Sequence, residues 1–223
     1  MWLAGFVVAG SRAGGEPDNP CGAPERILRI NVMAMTKSDP RLGGPSYGLS
    51  HRLTRVLWGL VWGLLAAWTP APLHRWRRLV LLMFGAKIAS SAHVYPSVRI
   101  WNPANLEMGP HSCLGPRVDC YSMAKIYLGA HATVSQDARL CAGSHDIADP
   151  GFKLVARPIT IGAHAWIAAG AFVGPGVTVG EGAVLGAQAV AFRDLPAWSV
   201  HVGNPATFLK ARVRSPGLTG AAS

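Results

Sequence analysis

Ile161, Ile167, Val173, Val179 and Leu185 stand six residues apart, and this spacing constrains the fold more than any other feature of the chain. A glycine follows four of them (Gly162, Gly174, Gly180, Gly186), and Ala168 follows the other. Two places before each lies Ile159, Ala165, Ala171, Val177 or Ala183, mostly small residues. The same phase recurs upstream as Leu128, Val134 and Leu140, as Met108, Leu114 and Cys120, and as Ile88, Val94 and Ile100. A helix repeats at 3.6 residues and a strand at two, so neither sustains a period of six. A short strand followed by a tight turn does. Three such units close a triangular coil, and stacked coils bury a continuous column of inward side chains. The small residue fits the corner, and the glycine relieves backbone that a Cβ would crowd. The fold predicted for 86–205 is therefore a mainly β hexapeptide-repeat solenoid.

The breaks in the period are informative too. Ile100 to Met108 and Cys120 to Leu128 each skip eight residues, which places a two-residue insertion at a corner. Leu140 to Ile161 skips twenty-one. An insertion of that size leaves the coil as an excursion over 142–158, and loops on rigid scaffolds commonly carry function. It contains Gly143-Ser144-His145-Asp146.

The 223 residues are half apolar, enough for a core, and 26 glycines without a triplet rule exclude collagen. The chain carries 21 basic and 11 acidic residues, a net +10. The excess concentrates early: 41–90 holds seven basic residues and no acidic one. The clean apolar run Val56–Trp68 is thirteen residues, short of the roughly 20 that span a bilayer. A helix is expected from an N-cap at Ser50 to about Trp68, broken by Thr69-Pro70-Ala71-Pro72. A second is expected over Leu73–Phe84, stopped by Gly85, with Leu73, Trp76, Val80 and Met83 on one face and Arg75, Arg77 and Arg78 elsewhere. This basic preface, 41–85, reads equally as a cap on the main domain or as a peripheral membrane contact. Nucleic acid is not expected as a partner, because no binding motif accompanies the charge. Residues 1–40 read as unstructured or as a non-native extension, with Met33 or Met35 as alternative starts. No basic residue precedes the opening apolar stretch, so export is not expected and the cytoplasm is the expected location. Cys21, Cys113, Cys120 and Cys141 share no CxxC spacing and read as reduced.

Residues 86–212 resemble the hexapeptide-repeat acyltransferases of the maltose, galactoside and nodulation O-acetyltransferase group. The stretches Leu140-Cys-Ala-Gly-Ser-His-Asp146, Pro158-Ile-Thr-Ile-Gly162, Ala165 to Gly180 and Val202-Gly-Asn-Pro-Ala206 are most similar to the branch named for colanic acid biosynthesis. So is the helical preface, including Pro72-Leu-His-Arg-Trp-Arg-Arg78. The resemblance implies a left-handed parallel β-helix, although the general crossover rule would favour the right hand. It implies an acetyl-CoA-dependent O-acetyltransferase acting on a sugar hydroxyl of a surface glycan, and a homotrimer with each site between two copies. His145 matches the family's general base, and neutral imidazole suits that work. Asp146 either orients the imidazole or caps the loop. The family often has an Asn near the acceptor or thioester in the preceding coil; here Ser122 stands in its place, in the window Asp119-Cys-Tyr-Ser122. The resemblance makes Ser122 and Asp146 the expected substrate-binding residues. The resemblance places CoA along Trp166, Ala169 and Ala187, the alanines through main-chain amides. Thr207 occupies a position that is commonly basic, and Lys210, Arg212 or Arg214 are placed to substitute for its charge in the basic 206–223 tail. No metal is expected: His111, His131 and His164 each lie three places after an inward residue, at one corner, and lack the closely spaced pair of a γ-carbonic anhydrase. Two other readings stay open, an inactive scaffold in a polysaccharide assembly complex and an acyltransferase using a different acyl-CoA.

Overall fold

A computed structural model describes residues 48–213. The expectations for 1–40 and for Arg214 fall outside those residues. The backbone divides into two units, one holding Ser144–Val155 together with the start of the first helix, the other Leu53–Gly143 and the chain from Ala156 onward.

The larger unit is a solenoid with three faces. The first face stacks Lys87–Ile88, Leu106–Met108, Ile126–Leu128, Ile159–Ile161 and Thr178–Val179. The second stacks His93–Val94, Cys113–Leu114, Thr133–Val134, Trp166–Ile167, Val184–Leu185 and Ser199–Val202. The third stacks Arg99–Ile100, Asp119–Tyr121, Arg139–Cys141, Phe172–Val173 and Val190–Ala191. Every pair within these ladders is parallel, in the register of the repeat; Ile161, for example, lies between Leu128 and Val179. The period-six residues Ile161, Ile167, Val173, Val179 and Leu185 are fully buried, as are Leu114, Leu128 and Leu140.

The glycines act by close approach. A Cβ on Gly129 would lie 2.5 Å from the Ala163 nitrogen, and one on Gly162 would lie 2.6 Å from that of Glu181. Both clashes are with the backbone of the next coil, which cannot give way without opening the stack.

All three register breaks fall at the corner between the third and first faces. The first is a short 3₁₀ turn at Pro103–Asn105. Its Asn105 Nδ2 donates to the carbonyls of Ser122 (2.9 Å) and Met123 (3.1 Å) in the second break, so the two insertions fasten each other. The third is the excursion, whose neck is closed by the Arg157 N–H on the Ala142 carbonyl at 2.9 Å.

Before the coils come helices α1 (Leu49–Leu65) and α2 (His74–Met83). Helix α1 starts ahead of Ser50, its first backbone bond running from the Arg52 N–H to the Gly48 carbonyl. Gly85, at φ +83°, ends α2 as expected. The face that α2 buries is not the expected one. Leu73, Trp76 and Met83 are exposed, whereas Arg77, Val80 and Leu81 are fully buried. The reason is polar. The break between the helices turns carbonyls inward, and the Arg77 guanidinium meets them. It donates to the Val94 carbonyl (2.7 Å), the Thr69 hydroxyl (2.8 Å), the Pro70 carbonyl (2.9 Å) and the Ala71 carbonyl. A buried charge is tolerated when its donors are met in this way.

The chain end also departs from a plain tail. Thr207–Ala211 turns back and pairs antiparallel with Ser199–Val202, covering the edge of the second face.

Candidate active site

The excursion is a hairpin, with Gly143–His145 paired to Leu154–Ala156. His145, half-buried, sits at its first strand. Its Nδ1 is 2.8 Å from the Phe152 carbonyl oxygen, and its ring stacks on the Phe152 ring at 4.4 Å between centroids and 9° between planes. A carbonyl oxygen can only accept, so Nδ1 carries the proton. Nε2 of the neutral ring is then the basic nitrogen. Phe152 reaches this position with φ +50°, a left-handed conformation that a bulky residue rarely adopts. The turn holding it there is built by Asp149. Its Oδ1 accepts from the Gly151 N–H (2.7 Å), its carbonyl accepts from the Phe152 N–H (2.8 Å), and its Oδ2 pairs with Lys153 (2.7 Å).

Asp146 has a different job. Its Oδ1 accepts from the Ala148 N–H at 2.9 Å, and its own N–H donates to the Lys153 carbonyl at 2.8 Å. It shapes the hairpin, and the imidazole takes its orientation from Phe152. Both Asp146 bonds are loop-capping ones. No sequence signal points to a main-chain carbonyl as the orienting group, although Asp149-Pro150-Gly151 does signal the turn.

Ser122 is fully buried. Its Oγ accepts from the Asn102 N–H at 2.9 Å and donates to the Asn102 carbonyl at 2.8 Å. The hydroxyl proton is used in clasping two coils.

The other expected residues belong to the solenoid. Trp166 is exposed on the second face, and its Nε1 donates to the Ser135 hydroxyl at 2.9 Å. Ala169 and Ala187 stack at the corner between the second and third faces, where the Gln188 N–H donates to the Ala169 carbonyl at 2.9 Å. The N–H groups of Ala169 and Ala187 have no acceptor among the described residues. Earlier coils put Pro96 and Pro116 at the same corner position, so the coil does not need that donor. Alanine keeps it. Thr207 follows the turn at this corner, with its hydroxyl 3.5 Å from the Val202 carbonyl. Lys210 is exposed opposite Val200, farther across the second face.

Arg212 reaches the corner between the first and second faces, where Nη1 donates to the carbonyls of His164 (3.0 Å) and Gly182 (2.9 Å). With His131, Thr133, His164, Ala165 and Trp166 it lines a shallow cavity of about 290 Å³. His111, His131 and His164 occupy this corner with φ of 55°, 58° and 58°, and their rings form a column with both centroid spacings at 4.9 Å. No group of three or more His, Cys, Asp or Glu side chains among the described residues is arranged to hold a metal ion.

The family described as bacterial transferase hexapeptide (six repeats) matches residues 158–191. The provisionally named colanic acid biosynthesis acetyltransferase WcaF of Escherichia coli (strain K12) is 43% identical over 159 residues, 71% of this chain and 87% of that protein. Among solved structures, a maltose O-acetyltransferase from Clostridium difficile 630 superposes with a TM-score of 0.67 at 23% identity, over 81% of this chain and 100% of that one. A hexapeptide-repeat acetyltransferase of Vibrio cholerae, solved with acetyl coenzyme A, gives 0.65 at 20% identity, over 75% and 91%. The protein is an acetyltransferase, and the chain belongs to the hexapeptide-repeat acetyltransferases, in the branch of the colanic acid biosynthesis enzymes.

Proposed function

We propose that the protein moves the acetyl group of acetyl-CoA onto a sugar hydroxyl during the assembly of an exopolysaccharide or other surface glycan, with His145 as general base. The observation that carries this reading is the orientation of the imidazole. Donation of Nδ1–H to the Phe152 carbonyl leaves the Nε2 lone pair to take a proton. A neutral alcohol attacks a thioester poorly. As Nε2 removes the hydroxyl proton, the oxygen bonds to the acetyl carbon and the C–S bond breaks. The CoA thiolate then collects the proton from the imidazolium, which restores the base. Attack is direct, with no acyl-enzyme.

The N–H groups of Ala169 and Ala187, one coil apart, suit the amide carbonyls of a pantetheine arm. Trp166 offers an apolar wall beside them, and Thr207 and Lys210 lie on the edge strand where the phosphates would end. The V. cholerae protein was solved with acetyl coenzyme A, and the E. coli relative is named for colanic acid, which supports the donor and the glycan class. The working assembly in this reading is a homotrimer with each site between two copies, in the cytoplasm where acetyl-CoA is supplied.

The test is mass spectrometry of candidate glycans incubated with acetyl-CoA and enzyme, looking for one added acetyl group. Loss of that product in His145→Ala, with CoA binding retained, supports the mechanism. Wild-type turnover by His145→Ala ends the assignment. Light scattering that returned a monomer mass would end the trimeric site.

A further inference from the structure

We infer that the outer face of α1, with the adjoining exposed side of α2, docks on an anionic lipid surface. Helix α1 is turned inside out relative to a helix covered by water. The side it packs on the coils carries its indoles and a cation. Trp58 Nε1 donates to the Ile100 carbonyl at 2.7 Å, and the Arg55 guanidinium lies 3.1 Å over the Trp101 ring. The opposite side carries Leu53, Leu57, Leu60 and Leu64, spaced four, three and four apart and each more than half exposed. A water-facing helix would place its polar residues there.

The apolar surface continues past the helix end. Trp68 and Trp76 are exposed, and their indole N–H groups donate to the last α1 carbonyls, Leu64 (2.6 Å) and Leu65 (2.6 Å). Their polar atoms are thus satisfied within the protein and their rings are left bare. From Val56 to Leu73 the chain has no charged residue.

Charge selects the occupant. Arg77 is buried and Arg55 packs on Trp101, but Arg52 in α1 and Arg75 in α2 stand exposed, and 41–90 holds no acidic residue. Two such faces brought together would set cation against cation with no acid to pair. A leaflet containing acidic headgroups offers hydrocarbon to the leucines and negative charge to the arginines. No helix among the described residues is long and apolar enough to cross a membrane, so α1 would lie in the interface rather than span it.

The inference is independent of the glycan reading, and its test does not use the acceptor. The purified full-length chain is sedimented with vesicles of phosphatidylcholine alone and of phosphatidylcholine mixed with phosphatidylglycerol. The wild type is expected to bind the mixed vesicles more tightly, and less so as salt rises. Leu57→Glu/Leu60→Glu is expected to lose at least about tenfold in partitioning. Its solution mass and thermal unfolding should stay unchanged. Arg75→Glu should weaken binding to the mixed vesicles alone. Failure of the wild type to bind either vesicle overturns the inference, as does wild-type partitioning by the leucine variant. A change of solution mass in that variant overturns it too, by assigning the face to a second copy of the chain.

Discussion

Two histidine stacks of this protein, the corner column and the hairpin, are alike in geometry, and of these two only the hairpin fixes a proton. A third stack, His74 on His93 at 4.5 Å between centroids, has the His74 Nδ1 3.0 Å from the Val94 carbonyl. In the corner column His111, His131 and His164 lie 4.9 Å apart with planes 14° and 4° from parallel. In the hairpin His145 lies 4.4 Å from Phe152 at 9°. The geometries are alike, but the chemistry is not. No hydrogen bond to the column's ring nitrogens is found among the described residues, so no protein partner there selects a tautomer. His145 has its Nδ1 held by a carbonyl, which commits Nε2 to accepting. The column follows from the repeat, which sets one corner residue above the next. The hairpin is an interruption of the repeat, free to use an uncommon backbone conformation at Phe152. Stacking positions a ring, and a hydrogen bond turns it into a directed base.

The contrast can be broken most forcefully at the two histidines themselves. His145→Ala should lower kcat about 10²–10⁴-fold with unfolding temperature unchanged, while His131→Ala should leave kcat within about threefold. The opposite result would move the chemistry to the column. The next effect is on stability. Gly162→Ala forces a Cβ to within 2.6 Å of the next coil's backbone and should cost about 1–3 kcal/mol in urea unfolding. Gly151→Ala meets only the Asp149 carboxylate at 3.1 Å and should cost about 0.5 kcal/mol or less. Equal costs would mean that the hairpin is as tightly stacked as the solenoid. Smaller again is Asp149→Ala, which removes the bond that shapes the turn under Phe152. It should reduce kcat by about tenfold or less, with KM for acetyl-CoA unchanged.

The smallest effect is electrostatic. The imidazole of His131 is held below its ordinary pKa by desolvation in the stack, then by the charges that His164 and His111 take on. As pH falls below about 6.5, the unfolded chain binds a proton at this position more readily than the folded one. The column therefore loses stability on acidification and keeps it at neutral pH and above. An NMR titration should show His131 rising toward the ordinary value in His111→Gln/His164→Gln. An unchanged midpoint would mean that stacking does not couple the rings.

The solenoid was legible because each hexapeptide states its own requirements. An inward Ile, Val or Leu, a small residue two places earlier and a glycine after it describe one strand and one corner without reference to anything distant. The eight-residue skips located the corner insertions for the same reason, and the twenty-one-residue skip located the hairpin. Residues whose role depends on a distant partner were not legible. Arg77 reads as a surface cation until the carbonyls of Pro70, Ala71 and Val94 are seen to converge on its guanidinium. The Ser122 hydroxyl gives no sign in the sequence of its bonds to Asn102, twenty positions away. Helix α2 shows a tidy apolar stripe, yet three of its members face outward because the guanidinium took the buried side.

What the chain determined by itself, then, is the coil and the places where it is interrupted, because those follow from interactions repeated every six residues along the backbone. Tertiary structure alone decided which nitrogen of His145 is basic and which side of α1 was left to the outside. Each depends on one carbonyl, that of Phe152 for the imidazole and that of Ile100 for the Trp58 indole, brought to a donor by folding. A hydrogen bond to a main-chain carbonyl leaves no mark on residue identity, since every residue has one to offer.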